Sequence, residues 1–258
     1  GEGEFKPWIL QWSVQPCGFV YNTDILHDTV HHNSNGSVDG IADGAKWNRF
    51  PETVSELITY FDDIKTNNAA KTYGEKQIIP LGWSGQEANS LFPMMYTWWA
   101  QSQGTETPKI DGEGTFFDFY NYGNTVNISE GNHTFSSSVF MQSGLKKAYE
   151  TLRSLIVGGN GEFKNSDPKV QSMSPSNAQA AFFTGNYAVM NASSWLEYES
   201  REFLDTDKDG KNDINFEYYP IVSLDDYDGN QLTYCKIGDF MFIPKKATNK
   251  ELAKEFLV

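Results

Sequence analysis

Cysteine, positive charge and long apolar runs are all scarce in this chain. Its 258 residues include only two cysteines, Cys17 and Cys235, which excludes a fold held together by a disulfide framework. Acidic residues outnumber lysine and arginine by 34 to 20, and the formal net charge of −14 argues against nucleic acid as a partner, because it repels phosphate backbones. No apolar run reaches the thickness of a bilayer, so no transmembrane segment is predicted.

The remaining composition is that of a globular domain with a surplus of aromatic residues. Hydrophobic residues make up 39% and charged residues 21%, so the chain can bury a proper core. Aromatic residues reach 15%, and many of them must belong to that core. Tryptophan and tyrosine also suit a site that stacks on flat apolar faces while donating hydrogen bonds.

Short apolar runs alternate with helical patterns along the chain. Aromatic and β-branched content predicts strands at 8–10, 19–21, 77–81, 187–190, 216–220 and 240–244. Apolar residues spaced by three and four predict helices that open at Pro51, span 91–100, open at Ser136 or Ser137, open at Pro175, span 195–203 and follow Asn249. The polar stretch 27–48 is predicted to be a loop. This alternation indicates an α/β layered fold, and the uncapped helical pattern at Val258 predicts a fragment of a longer chain.

Polar and aromatic residues follow two predicted strands at the ends where ligands bind in open α/β sheets. Trp195 follows the strand at 187–190, where an indole can stack on the C–H face of a sugar. The strand at 77–81 is followed by Gly85, which permits close backbone approach, and by four residues whose side chains suit a sugar ligand: Trp83, Ser84, Gln86 and Glu87. The alternatives are a core anchor for Trp195 and a helix cap with a first-turn acid for the other group.

Residues 205–213 (DTDKDGKND) follow the spacing of a calcium-binding loop, with acids at positions 1, 3, 5 and 9 and glycine at position 6. Position 12 is Phe216 rather than a bidentate glutamate, so the predicted site is weak. A solvated acidic turn is the alternative. The predicted Ca²⁺ ligands are the side chains of Asp205, Asp207 and Asp209, the carbonyl of Lys211, and Asp213 directly or through water.

Two motifs that evoke catalysis each lack a required residue. His27 and His31 lie four apart, as in a zinc helix, but Asp28 stands next to His27 instead of the glutamate base. The nucleophile elbow requires glycine two positions after its serine, and Gln86 stands two positions after Ser84. The two histidines are expected to be solvated side chains of the polar loop, and neither a zinc site nor a serine hydrolase is predicted.

Four segments, in the same order, resemble motifs of the bacterial family-1 extracellular solute-binding proteins. Residues 18–26 (GFVYNTDIL) resemble the segment in which that family first crosses between two lobes, and 51–57 (PETVSEL) resemble the helix start that follows. Residues 181–190 (AFFTGNYAVM), with Ser194 and Trp195, are similar to the motif that carries the pocket tryptophan. Residues 243–246 (IPKK) with 249–257 (NKELAKEFL) are similar to a later strand and helix. The long loop at 27–48 departs from the family pattern, as does Val54 where the family has an aromatic, and family members are longer.

The resemblance implies a periplasmic-binding-protein-like fold of type II, present mainly as one lobe with its crossing strands. Residues 1–22 would be strands of the partner lobe and the first crossing, and 23–233 the main ligand-binding lobe. Residues 234–258 would form the second crossing with a strand and helix of the partner lobe. Trp195 would be the pocket tryptophan, and Tyr21 and Asn22 would line the hinge together with the stretch from Lys236 to Asp239.

The function implied by the resemblance is binding without catalysis. The protein would be a monomeric, extracellular, lipoprotein-anchored component of an ABC importer that binds a carbohydrate, usually an oligosaccharide, and docks on the membrane permease. A carbohydrate-active enzyme remains an alternative and requires two carboxylates facing each other across the sugar. A calcium-binding extracellular adhesion module is a second alternative, suggested by residues 205–213.

The two cysteines fall on or beside the two strands assigned as crossings, which the resemblance makes neighbours. A disulfide between Cys17 and Cys235 is geometrically conceivable. We expect instead two separate thiols, each partly buried.

Overall fold

Strands and helices alternate along the chain. The computed structural model describes residues 10–11, 14–68, 77–117, 126–127, 132–133, 140–158, 160–237, 240–241, 246 and 248–257. The strands are β1 (Leu10–Gln11), β2 (Val14–Asn22), β3 (Ile79–Gly82), β4 (Val126–Asn127), β5 (Asn132–His133), β6 (Tyr187–Ser193), β7 (Phe216–Tyr219), β8 (Tyr234–Ile237) and β9 (Phe240–Met241). The helices are α1 (Thr23–Asp28), α2 (Val54–Asn68), α3 (Phe92–Gln103), α4 (Ser143–Ile156), α5 (Pro175–Phe183), α6 (Leu196–Glu199), α7 (Arg201–Leu204) and α8 (Lys250–Leu257). Short 3₁₀ turns cover Asn33–Asn35, Ala88–Leu91 and Pro168–Ser172.

A five-stranded sheet organises the domain, with β2 as its longest strand. Its order is β3-β6-β2-β7, and β8 also pairs with β2. Strands β3 and β6 run parallel, whereas β2 is antiparallel to β6, β7 and β8. The second half of β2, from Phe19 to Asn22, pairs with β7, and its first half, from Val14 to Cys17, pairs with β8. Strands β1 and β9 form a separate antiparallel pair.

Both faces of the sheet are covered, because β2 alternates apolar side chains between two cores. Phe19 and Tyr21 belong to the larger core, whose helical residues come mainly from α2, α3 and α4. Val20, which points to the opposite face, belongs to a second core formed with α5 and β6. The result is the layered α/β fold with an open sheet that the sequence predicts.

Helix α5 shows why the sequence pattern located this element correctly. Ser174 is its N-cap, and the Ser174 hydroxyl accepts a hydrogen bond from the backbone N–H of Asn177 at 3.3 Å, while Pro175 occupies the first turn. The helix ends at Phe183, and Gly185 follows with a φ of 75°, which favours glycine.

Two helix predictions need correction. The helix over 195–203 is not continuous: it divides at the buried Ser200 into α6 and α7, and Trp195 is the N-cap of α6. The predicted caps Ser136 and Ser137 lie outside the described residues, and the helix that follows them begins only at Ser143, with Gln142 as its N-cap. None of the described helices has the length and apolarity needed to cross a membrane.

The polar stretch 27–48 is largely irregular, as predicted, but it is anchored to α2 rather than freely solvated. His31 and Asp63 are both fully buried, and the His31 Nδ1 atom lies 2.8 Å from the Asp63 Oδ2 atom. The Asp63 carboxylate also accepts hydrogen bonds from the indole N–H of Trp47 at 2.9 Å, the backbone N–H of His32 at 3.1 Å and the side chain of Asn35 at 2.8 Å. One buried carboxylate thus fixes three separate points of the loop.

Candidate functional site

A cavity of about 480 Å³ lies where the carboxyl ends of β3 and β6 meet the β2–β8 pair. These two strands are parallel, so their following loops emerge at the same edge of the sheet, where open α/β sheets bind ligands. The loop after β3 contributes Trp83, Ser84, Glu87 and Ser90. The end of β6 and the helix that follows contribute Asn191, Ser193, Leu196 and Glu199.

The β2–β8 pair forms one wall of the cavity. Gln15 is paired with Lys236 and Cys17 with Tyr234, so these four side chains lie on one face of the ladder, and all four line the cavity. The ring of Tyr234 stacks on that of Tyr96 with 5.6 Å between centroids. Burial raises the pKa of the Cys17 thiol, which keeps it neutral at this wall.

The loop after β3 is held by hydrogen bonds to the segment that precedes α5. The Ser84 hydroxyl donates to the carbonyl of Met173 at 2.8 Å, and the Gln86 amide donates to the carbonyl of Ser172 at 2.8 Å. The indole N–H of Trp83 donates to the hydroxyl of Ser166 at 3.2 Å. Trp83, Ser84 and Glu87 line the cavity, whereas Gln86 is not among its lining residues. The polar atoms of Ser84 and Gln86 therefore position the loop.

Gly85 permits a close approach, but the approaching group is the protein's own backbone. A Cβ atom at this position would lie 2.4 Å from the Cα atom of Gln171 and 2.5 Å from the carbonyl oxygen of Val170. The Gly85 backbone N–H donates to that same carbonyl at 2.7 Å. Glycine at this position thus lets the two segments pack together beside the cavity.

Trp195 lies directly after β6, beside residues that line the cavity. Its side chain is 37% exposed, which disfavours the alternative of a core anchor. Its ring meets that of Tyr198 edge to face, with 5.9 Å between centroids. Leu196 and Glu199 of α6 line the cavity, while Trp195 itself is not among the lining residues. A stacking role for Trp195 stays a prediction.

Two further predicted ligand-binding residues, Tyr21 and Asn22, are not among the residues that line the cavity. Tyr21 is buried, stacks on Phe50 at 4.4 Å and donates a hydrogen bond to Glu217 at 2.6 Å. Asn22 is fully buried and caps α1 by accepting a hydrogen bond from the backbone N–H of Ile25. Both residues lie at the end of β2, where Tyr21 packs in the core and Asn22 caps α1. Asp239 lies outside the described residues.

Acceptors and donors are mixed around the cavity. Glu87 and Glu199 supply carboxylates, and Lys236 supplies an ammonium group. The Gln179 amide, also at the cavity, donates to Glu199 at 2.8 Å. This combination, with the apolar surfaces of Trp83 and Phe92 at the same cavity, suits a ligand that is rich in hydroxyl groups and also has apolar faces.

Sequence reasoning missed several lining residues, notably Gln15, Tyr234, Gln179 and Glu199. Gln15 and Tyr234 reach the same wall of the cavity through the register between β2 and β8, which are far apart in the chain. The sequence signal that could have found Gln15 is its two-residue spacing from Cys17, which places both side chains on one face of a strand. Lys236, which the resemblance assigned to the hinge, does line the cavity.

The predicted calcium loop brings three of its acids together. Ligand oxygens of Asp205, Asp207 and Asp209 all lie within 4.8 Å of one another. The carboxylates of Asp205 and Asp207 each accept a hydrogen bond from the backbone N–H of Asp209, which curls the loop inward. Asp213 does not belong to this group. It accepts hydrogen bonds from the backbone N–H and hydroxyl of Thr206, which lower the pKa of its carboxyl group.

The two cysteines are separate, and they face opposite ways. Cys17 is paired with Tyr234, and Cys235 with Pro16, so the two side chains project from opposite faces of the ladder. This geometry disfavours a disulfide without rearrangement of the strands. Cys17 is buried, but Cys235 is exposed, which corrects the expectation that both are partly buried.

Comparison with solved structures finds several sugar-binding proteins whose fold is similar to that of this chain. A sugar transporter protein from Bacillus licheniformis in complex with stachyose is 15% identical with a TM-score of 0.62, and 98% of this chain and 51% of that chain are covered. RafE from Streptococcus pneumoniae in its apo form is 16% identical with a TM-score of 0.54, covering 97% and 50%. RafE in complex with raffinose is 16% identical with a TM-score of 0.59 and the same coverage. A chitin oligosaccharide binding protein is 17% identical with a TM-score of 0.56, covering 96% and 48%.

At these identities the likeness shows the fold alone, which is that of one lobe of a periplasmic-binding-protein-like structure. The chain spans about half the length of the structures that it matches. Curated protein sequences give no match. The family model described as bacterial extracellular solute-binding protein matches residues 2–258, and its members are binding proteins rather than enzymes. The chain therefore belongs to the family of bacterial extracellular solute-binding proteins.

Proposed function

We propose that this chain binds an oligosaccharide in the cavity between the loop after β3, the end of β6 and the β2–β8 wall. The observation that carries the proposal is this cavity, which combines hydroxyl, amide, carboxylate and ammonium groups with the rings of Trp83 and Tyr234. Sugars require this combination because each ring offers hydroxyl groups at its edge and C–H groups on its faces. Stachyose and raffinose in two structures of similar fold, and the chitin oligosaccharide named for a third, support the same ligand class.

The protein acts by binding and not by catalysis. The strands β2 and β8 are the crossings to a partner lobe, and the sugar lies in the cleft between the lobes. Closure is favoured only to the extent that the closed state makes better contacts with the sugar. The closed form then docks, as an extracellular, lipoprotein-anchored monomer, on the membrane permease of an ABC importer.

A panel of raffinose, stachyose and chitin oligosaccharides tests the proposal. At about 100 times the dissociation constant, a sugar stabilises the folded state by about 2.7 kcal/mol. For a domain of this size that raises the melting temperature by roughly 5–10 °C. Sorbitol at the same concentration is the control for general osmolyte effects. Chromatography of the incubated sugars is expected to detect no cleavage; cleavage products would instead favour a carbohydrate-active enzyme, since Glu87 and Glu199 both line the cavity.

We also propose that residues 205–213 bind a structural calcium ion through Asp205, Asp207 and Asp209. Three carboxylates in one turn repel each other, and a hard cation with oxygen ligands relieves that repulsion. The carbonyl of Lys211 completes the ligand set, with Asp213 acting directly or through water. Because Phe216 stands at the twelfth position, we expect a dissociation constant of about 10⁻⁴–10⁻³ M.

Calcium at about 10 mM is expected to stabilise the fold by roughly 1.4–2.7 kcal/mol, since only the folded loop assembles the ligands. Melting is measured with calcium, with magnesium and with a chelator. The variant Asp207→Ala should lose the calcium response. Asp228→Ala, which removes an exposed carboxylate from another loop, should keep it. Equal melting of the wild type under all three conditions would show that the loop is only a solvated acidic turn.

A further inference from the structure

The exposed indole of Trp195 contacts Tyr198, which in turn contacts Arg201. The ring of Tyr198 meets the indole at an interplanar angle of 88°, with 5.9 Å between centroids. The guanidinium carbon of Arg201 lies 4.2 Å from the centroid of the Tyr198 ring, a cation–π contact. The three side chains therefore form a chain of contacts that ends at Trp195.

This chain of contacts extends across the break between α6 and α7. Trp195, Tyr198 and Arg201 are spaced by three residues, as neighbours on one helical face are. Ser200 ends α6, and its backbone N–H donates to the carbonyl of Leu196 at 2.9 Å. The turn is fixed by residues that are themselves buried, since Leu196 is 2% and Ser200 0% exposed.

The fold gains little from holding Trp195 in this way. Tyr198 is 60% exposed, so its edge-to-face contact with Trp195 buries little apolar surface, whereas Leu196 packs into the core. The ordered ring matters more for ligand affinity, because ordering a mobile side chain on binding costs free energy. An indole that is already ordered presents its surface to a sugar without that loss.

We propose that Tyr198 and Arg201 are positioning residues that fix the Trp195 ring for stacking on the sugar. The inference rests on the proposed function and on the predicted stacking role of Trp195, which lies beside residues that line the cavity. Tyr198 and Arg201 act through Trp195, so their effect on affinity depends on the presence of the indole.

A double-mutant cycle between Trp195 and Tyr198 tests the inference, with affinity for raffinose, stachyose and chitin oligosaccharides measured by calorimetry. Trp195→Ala should weaken binding by up to about tenfold. Tyr198→Ala should weaken binding by about two- to tenfold. In the Trp195→Ala background, Tyr198→Ala should cause no further loss. Tyr198→Phe keeps the ring and should restore affinity to within about twofold of the wild type.

One further variant tests the role of Arg201, and another serves as a control. Arg201→Gln removes the cation over the Tyr198 ring and should weaken binding by about two- to fivefold. Tyr149→Ala is the matched control, because Tyr149 on α4 is 61% exposed, nearly the same as Tyr198. It should leave affinity unchanged.

A second readout needs no sugar. In protein labelled with 5-fluorotryptophan, the ¹⁹F resonance of Trp195 is assigned by its loss in Trp195→Phe. The wild-type ring should give the relaxation of an ordered side chain, and Tyr198→Ala should give that of a mobile one, while Tyr198→Phe stays ordered. A ring that remains equally ordered in Tyr198→Ala overturns the proposal.

The outcomes separate this inference from the proposed function. Failure of the wild type to bind any of the three sugars contradicts the proposed function, and the ¹⁹F comparison then still decides whether Tyr198 orders the indole. Wild-type binding that is unchanged in Tyr198→Ala contradicts only the positioning role. A loss in Tyr198→Ala that persists without the Trp195 ring also overturns it, because Tyr198 would then contact the sugar itself.

Discussion

The substitution Asp63→Asn is expected to lower the free energy of unfolding by about 3–5 kcal/mol. The new side chain has nearly the same shape, so packing is retained and the loss is one of charge and hydrogen bonding. The Oδ2 atom of Asp63 accepts from Trp47 Nε1 at 2.9 Å and lies 2.8 Å from His31 Nδ1. Asparagine either turns its NH₂ group toward these nitrogens or turns it toward the donors from His32 and Asn35. Both orientations leave buried donors facing each other.

Urea unfolding monitored by circular dichroism measures the effect. Asp62→Asn is the matched control, because Asp62 precedes Asp63 on α2 but forms a partly exposed ion pair with Lys65 at 2.5 Å. Such pairs contribute at most about 1 kcal/mol. If the two variants unfold at the same urea concentration, the buried network does not anchor the loop at 27–48.

The substitution Gly85→Ala is expected to destabilise the fold by about 3 kcal/mol and to weaken sugar binding. The added Cβ atom would lie 2.4–2.6 Å from three backbone atoms of Val170 and Gln171, and backbone cannot rotate away as a flexible side chain can. The two segments must separate, which breaks the 2.7 Å hydrogen bond from Gly85 to Val170. Because this loop carries Trp83 and Glu87, one wall of the cavity moves with it.

Gly158→Ala provides the comparison for Gly85→Ala. A Cβ atom at Gly158 meets only the tip of the Asn160 side chain at 3.2 Å as its nearest neighbour, and that tip can move aside. Its stability should change by no more than about 1 kcal/mol. Thermal unfolding and calorimetric titration are measured on both variants. A Gly85→Ala protein with wild-type stability and affinity would mean that the contact with Val170 and Gln171 does not shape the cavity.

The sequence predicts the fold wherever a local pattern decides it. Phe19, Val20 and Tyr21 are apolar at three successive positions, which fits a strand buried on both faces, and the structure sends them alternately into two cores. The caps and spacing of α5 likewise locate a helix correctly. Strand β8 was not predicted from its local pattern, in which Cys235 and Lys236 carry no strand signal; only the resemblance assigned a strand beside Cys235, and the structure pairs that strand with β2.

The residues of the candidate site also fall into two groups, those that a local pattern predicts and those that long-range contacts bring together. Trp83, Ser84 and Glu87 were predicted because they directly follow a strand, and the cavity includes all three. Gln15 and Glu199 could not be predicted locally, since each reaches the cavity through a long-range arrangement of strands or helices. The polarity of 27–48 suggested solvated histidines. His31 is buried because its partner, Asp63, lies 32 residues further along the chain and is brought to it by α2.

Alkylation of the two cysteines tests the central claim, that a sugar occupies the cavity beside β2 and β8. Cys17 lines the cavity, whereas Cys235 is exposed on the opposite face of the same ladder and serves as an internal control. The rates are followed by mass spectrometry at mildly alkaline pH, with and without whichever of raffinose, stachyose or chitin oligosaccharide binds, at about 100 times its dissociation constant. Only about 1% of the protein is then unliganded, so Cys17 should react at least tenfold more slowly while Cys235 reacts at an unchanged rate. Unchanged reactivity of Cys17 at saturation would contradict the account, because the sugar would then bind elsewhere.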